Sequence, residues 1–454
     1  MQNTYDAIVI GSGIGGLAAA LLMAHAGKKV LVLEKGERYG GRLSSYERDG
    51  FLVDVGVHII SRTNKGPMGQ VLKMAEVDNP LQFHRIRPVT SFNGRQFKFP
   101  YDLQQMVPQE DYDALMRFLA DCRAMTDEQT HQYDDISLKE VLFRYTTNTM
   151  VLACVSKTNS TYVCLPAWET SAGEFMRCLK WEAAEKASGY PEGGCVAITN
   201  VFLDGIVKYG GQLRNHADVE KILIENGRAV GVVVNGEAIF ADKIVSNLDL
   251  AATVFDLVGR EHFPEDYCEY VKGLKYSWFG GVMKIALDEK ITDIKFLSQF
   301  GMEDQEAYEQ MLLDGILPPE LNMFVVVPSN FSPAVAPEGM QILNASTAMP
   351  VNVPPSIMEG YQEAMLRTLE KYIPELRQHI LWIDYMDLEA MTKELGERGA
   401  SIGVGQWPGQ AGSSRPKSKL PVEGLYVVGG AAGGEGVGIE MCINSAINFF
   451  EQYC

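Results

Sequence analysis

The chain has 454 residues, with 40 Lys and Arg against 58 Asp and Glu, for a formal net charge of −18. Hydrophobic residues make up 46% and charged residues 22%, a balance that builds a folded core and excludes a disordered, collagenous or coiled-coil chain. The acidic excess argues against nucleic acid, where each phosphate contact wants a Lys or Arg, and against an anionic lipid surface outside a local apolar patch.

In chain order, Tyr5 to Ile10 is a nearly unbroken apolar run, the pattern of a parallel strand covered on both faces. Gly11-Ser12-Gly13-Ile14-Gly15-Gly16 follows and fits G-x-G-x-x-G at Gly11, Gly13 and Gly16. Leu17 to Ala26 reads as a helix stopped by Gly27, and Lys29 to Leu33 as a second buried strand that ends at Glu34 and Lys35. Each part has a physical task. Gly11 permits the tight turn, Gly13 lets backbone approach a pyrophosphate, and Gly16 lets the helix lie close on the strand. The helix N-terminus then offers free N–H groups to the phosphates. Glu34 stands where a carboxylate accepts both ribose hydroxyls, and its charge disfavours a 2′-phosphate there. The motif alone does not separate NAD from FAD.

The next residues do. Gly40-Gly41-Arg42 and then Asp54-Val55-Gly56-Val57-His58 resemble the flavin amine-oxidase superfamily, in which a Gly-Gly-Arg loop follows the fingerprint and a D-x-G segment lies beside the isoalloxazine. Within it the chain looks most like the phytoene desaturase, carotenoid isomerase and retinol saturase branch. The resemblance implies that Gly41 closes over the pyrophosphate, that Arg42 supplies countercharge, and that Val57 and His58 lie near the ring. His58 is the one weak candidate for an acid or base, and a His hydrogen-bonded into the fold is an equal reading.

The likeness recurs further along. Tyr190-Pro191-Glu192-Gly193-Gly194 is similar to the family's P-x-G-G element, and two strand runs flank the Asn226-Gly227 turn. The resemblance implies that Val219 meets the adenine through its backbone and that Ala241 to Asn247 returns to the central sheet. Gly424 to Gly430 reads as another strand, followed by Gly433-Gly434-Glu435-Gly436-Val437-Gly438 and a helix from Ile439 to Phe450. In relatives that helix aims its N-terminus at the flavin pyrimidine edge, where negative charge accumulates on reduction. The cofactor-binding set so implied adds Lys35, Gly430, Glu435, Gly436, Val437 and Gly438. Many relatives carry an acid where Gly430 stands, and Glu435 lies on a different turn. No second G-x-G-x-x-G occurs, so a nicotinamide cofactor is not expected.

Between these segments, Phe92-Asn93-Gly94-Arg95 predicts a hairpin with a type I′ turn, and strand runs such as Gly281 to Leu287 and Met323 to Val327 alternate with helical spacing. Lys284 is similar in placement to an amine-oxidase lysine, but a solvated or snorkelling Lys is the preferred reading. Gly399-Ala400-Ser401-Ile402-Gly403 matches G-x-S-x-G, yet lacks the flanking strand and helix, and no His follows it. No metal motif is present, and no metal site is expected. The eight Cys are scattered and read as thiols in a reducing compartment. With no basic leader and no apolar run long enough to span a bilayer, cytoplasm is the expected address and no integral membrane segment is expected.

The expected fold is α/β. A Rossmann-like FAD-binding domain of the glutathione-reductase type (1–85, 186–255 and 396–454) is interleaved with a mixed-sheet-plus-helices substrate domain (86–185 and 256–395). The resemblance implies an FAD-dependent oxidoreductase that moves hydride between flavin N5 and an extended hydrophobic polyene or isoprenoid, as desaturase, saturase or isomerase. The alternatives are a flavin amine oxidase and a non-catalytic, escort-like lipid binder. The electron acceptor is not legible.

Overall fold

The computed structural model describes residues 5–56, 59–395 and 400–454, so Val57, His58 and Gly399 lie outside the described residues. The expected α/β architecture is present. Tyr5–Ile10 pairs in parallel with Val30–Leu33 on one side and with the second half of Glu237–Ser246 on the other. Gln212–Arg214 and Leu425–Val427 extend this parallel sheet at its two ends. Strand order therefore reverses between Tyr5–Ile10 and Glu237–Ser246, and a crevice opens at their carboxyl ends, where such sheets bind ligands. The first half of Glu237–Ser246 pairs antiparallel with Arg228–Val234, which forms a hairpin with Val219–Glu225. Asn226 and Gly227 close that hairpin with φ of 50° and 77°, the left-handed pair a type I′ turn demands.

The helix Ile14–His25 starts immediately after the glycine turn, and every residue from Ile14 to Ala24 is buried. Its small side chains let the helices Val196–Lys208 and Ile439–Tyr453 pack against it. A helix apolar on all sides is stable only when covered in this way.

The second sheet has seven strands in the order Ile380–Met386, Phe279–Leu287, Gln341–Met349, Met323–Val326, Phe296–Phe300, Thr90–Phe92 and Arg95–Phe97. All pairs are antiparallel except Phe296–Phe300 with Thr90–Phe92. The predicted Asn93-Gly94 turn joins the last two, with φ of 48° and 76°. Helices Gln109–Ala124, Thr149–Val163 and Ala172–Glu185 share a separate core around Phe118 and Phe175. Phe279–Leu287 is buried at every position, Lys284 included. The solvated reading of Lys284 is thus overturned: register sets it opposite Asp384, with Nζ 3.8 Å from Asp384 Oδ2 and 5.3 Å from the Tyr46 ring centre. All eight Cys are free thiols, and no helix among the described residues is long and apolar enough to cross a membrane.

Candidate functional site

The glycine turn is dictated by backbone contacts. Gly11 has φ of 87° and donates its N–H to Leu33 O at 2.8 Å, which bends the chain off the strand. A Cβ on Gly16 would fall 2.4 Å from Gly11 O, one on Gly15 2.7 Å from Gly429 Cα, and one on Gly13 2.6 Å from Asn247 Nδ2. Three chain segments distant in sequence thus meet where only hydrogen fits. No side chain caps the Ile14–His25 helix, and no acid stands in its first turn, so its N-terminal positive end is open to an anion.

Two cavities meet at this turn, with Gly13, Arg42 and Asn247 bordering both. The outer one, about 140 Å³, is lined by Gly11, Ser12, Glu34, Lys35, Gly41 and Val219. Glu34 Oε2 accepts from Ser12 N at 3.1 Å and Ser12 Oγ at 2.5 Å, and Oε1 accepts from Gly36 N at 2.9 Å. A carboxylate has about four acceptor positions, so Glu34 shapes the turn through three and keeps about one for a ligand hydroxyl. Ser12 Oγ in turn accepts from Gly40 N at 3.0 Å, tying the Gly40-Gly41 loop to the fingerprint.

The inner cavity, about 230 Å³, is lined on one side by Ile14, Gly15, Gly430, Val437, Gly438 and Ile439. The uncapped N-terminus of Ile439–Tyr453 therefore faces it. Arg42 Nη1 donates to Ser401 O at 2.5 Å and to Ala400 O at 3.3 Å, so the guanidinium also anchors the 400–401 segment at the cavity rim. Gly16, Glu435 and Gly436 lie behind the walls. Gly436 N donates to the fully buried Glu174 at 2.7 Å, and Gln406 Nε2 donates to the same oxygen at 2.6 Å. Glu435 faces Arg177 Nε and His131 Nδ1, each at 3.7 Å, and burial raises its carboxyl above the usual range. The structure thus groups Glu435 with Glu174, Arg177 and Asp134 behind the glycine loop, not with the cavity walls.

The opposite wall comes from the second sheet and the helical unit. Thr161, Tyr162 and Cys164 come from the end of Thr149–Val163, Gly280, Val282 and Ser346 from the sheet, and Ile59, Phe324, Met386 and Ile402 complete an apolar chamber. Burial pushes the Cys164 thiol up to about 11 and raises the Tyr162 phenol, so both are neutral near pH 7 and can only donate or accept weakly. Asp54 of the D-x-G segment points away from chemistry: it accepts from Ser45 Oγ, Cys195 N and Tyr190 Oη at 2.7, 2.9 and 2.5 Å. It ties Tyr190 and Cys195 to the strand that leads into Val55 and Gly56 of the inner cavity. Asn247, Glu174 and Cys164 were not singled out from sequence. Only Asn247 carries a local signal, as the first residue beyond the carboxyl end of the strand beside Tyr5–Ile10.

A crevice with an open helix N-terminus and a glycine turn on one side and an apolar chamber on the other defines the class: a two-sheet flavoprotein oxidoreductase fold. The chain belongs to the flavin containing amine oxidoreductase family, whose pattern matches residues 14–449. It is 27% identical to the chloroplastic prolycopene isomerase of Daucus carota over 410 residues, 82% of this chain and 64% of the isomerase. The chain thus spans less than two thirds of that relative's length. It is 24% identical over 473 residues to a 4,4'-diapolycopene oxygenase of Methylomonas sp, covering 93% of each. An oxidoreductase from Methanosarcina mazei shares the fold, with a TM-score of 0.77 and 22% identity over 98% of this chain and 100% of that one.

FAD is the cofactor the family implies, and the residues present fit it. The glycine turn and uncapped helix suit the pyrophosphate, Glu34 and Val219 line the outer cavity, and Val437 to Ile439 line the inner one. A Cβ built on Gly438 meets no protein atom within 4 Å, so room for a planar group exists beside it.

Proposed function

We propose that this chain is an FAD-dependent oxidoreductase acting on an extended hydrophobic polyene or isoprenoid, as desaturase, saturase or isomerase. The observation that carries the reading is the chamber's lining: among the described residues it contains no carboxylate, and Arg42 is its one ionisable group charged near pH 7. An ammonium substrate would be desolvated there without a partner, which is costly. An apolar chain gains about 25 cal/mol for each Å² it buries. Tyr162 and Phe324 are the aromatic side chains of the described lining, and both suit flat contact with a conjugated chain.

FAD, when bound, supplies hydride acceptance or donation at N5. The chain's part is to bind, orient and exclude water. Val282, Phe324, Met386 and Ile402 hold an apolar segment against the cofactor side. The N-terminus of Ile439–Tyr453, whose first-turn Glu440 is paired with Arg62, favours negative charge on the cofactor side. We assign no catalytic acid or base, and the electron acceptor stays open. We assign 1–85, 186–255 and 396–454 to the FAD-binding domain and 86–185 and 256–395 to the substrate domain, with Ile59 and Ile402 of the former also reaching the chamber. The relatives named for prolycopene and diapolycopene support the substrate class.

The test is spectroscopic. The purified protein should carry a flavin absorption spectrum, and anaerobic addition of a C30 or C40 polyene, or its more saturated precursor, should bleach the flavin or yield a changed polyene on chromatography. Bleaching by primary amines alone would replace the reading with amine oxidation. A colourless protein that does not take up FAD would favour the lipid binder.

A further inference from the structure

A groove away from the crevice lies between the helix Glu265–Lys272 and the loop 413–421. Tyr267 and Tyr270 form one wall, with ring centres 5.9 Å apart and planes tilted by 41°. Ser413, Ser414, Lys417 and Lys419 face them, and Arg415 completes the lining. No carboxylate lines the groove among the described residues. The helix's own acids are engaged elsewhere. Glu265 pairs with Arg260, Glu269 with Lys272 at 2.7 Å, and Asp266 Oδ1 accepts from Tyr267 N at 2.9 Å. In a chain of net charge −18, three cations gathered without a lining acid form a local positive field that attracts an anion.

Arg415 closes the buried side of the groove. It is 2% exposed, and its two terminal nitrogens donate to Val404 O at 3.2 and 3.3 Å and to Gly430 O at 2.9 Å. Its Nε is buried and closed to the groove, so Arg415 acts there through its charge. Lys417 donates to Ser413 O at 2.6 Å, which leaves two of its three donors free. Lys419 is exposed. A ring laid on the tyrosine wall would place an attached phosphate toward the serines and lysines opposite.

We propose that this groove is a second ligand site, separate from the dinucleotide crevice, for a phosphate joined through a sugar to a flat ring, with the chemistry of an adenine mononucleotide. The groove is linked to the flavin chamber through one side chain, since Arg415 holds Gly430, a wall of that chamber.

Isothermal titration of the FAD-saturated protein with AMP, and separately with inorganic phosphate, tests it. AMP should bind saturably without releasing FAD, and phosphate at least about tenfold more weakly. The double variant Lys417→Glu, Lys419→Glu should weaken AMP about a hundredfold at unchanged flavin content, because each of the two lost charge-assisted bonds is worth about tenfold. Tyr270→Leu should weaken AMP and leave phosphate unchanged. The proposal is overturned by absent saturation, by release of FAD on adding AMP, by phosphate binding as tightly as AMP, or by indifference to the lysine pair.

Discussion

Lys157 sits on the helix that delivers Thr161, Tyr162 and Cys164 to the chamber, and it shares a face with Thr161 one turn on. It is 6% exposed, and no carboxylate pairs with it among the described residues. Burial pulls its amine from 10.5 down to about 8, against a small opposing effect of Cys164. A displacement of that size is worth about 3 kcal/mol between the charged and neutral forms. Near pH 7 the folded chain must either hold a desolvated ammonium or give up its proton, and both cost stability relative to the unfolded chain. Lys157→Met keeps the length and flexibility of the side chain and removes the charge. The expected gain is about 3 kcal/mol near pH 7, less what the lost amine contacts supply. The unfolded chain binds the proton more firmly than the folded one, so wild-type stability rises with pH between about 8 and 10.5. The advantage of the variant must therefore shrink across that window. Urea denaturation of the FAD-loaded proteins at pH 7 and at pH about 10 reads both effects. A variant less stable than wild type near neutrality, or a gain that does not change with pH, would refute the reasoning.

Three further outcomes follow from the site. Glu34→Ala removes the acceptor for Ser12 N, Ser12 Oγ and Gly36 N, so the dissociation constant for FAD, read by flavin fluorescence, should rise about tenfold or more; unchanged affinity would count against Glu34 as the organiser of the turn. Gly16→Val places a Cβ 2.4 Å from Gly11 O and should yield protein without bound flavin and with a thermal midpoint lowered by several degrees, whereas normal flavin content would contradict the close-packing account. Trp278 Nε1 donates to Glu169 at 2.8 Å and Trp168 Nε1 to Glu309 at 2.7 Å, and burial, then the neighbouring Glu309, raises the Glu169 carboxyl. The folded state holds that proton more firmly than the unfolded one, so its contribution is full below about pH 4.5 and fades as pH rises. Glu169→Gln should flatten the decline of the thermal midpoint above that pH, and an unaltered pH profile would refute the raised Glu169 carboxyl.

Local physics made one half of the site legible in the chain itself. The glycines of the first turn, the apolar runs that flank it and the acid at the end of the second strand are set by contacts within some 30 residues, and steric limits on φ and on Cβ leave few alternatives. The Asn93-Gly94 and Asn226-Gly227 turns were readable for the same reason, since a type I′ bend selects its residues without help from elsewhere. The other half depends on register and crossover. Asn247 reaches Gly13 and Gly15 only because Glu237–Ser246 lies beside Tyr5–Ile10, and Lys284 meets Asp384 only through the pairing of two strands some 100 residues apart. The resemblance implies Glu435 as a cofactor ligand, yet the helix Ala172–Glu185 brings Arg177 to within 3.7 Å of it behind the loop. Whether a charged side chain faces a ligand or a counterion is decided by which distant partner shares its desolvated space, and that free energy is not written in any local stretch of sequence.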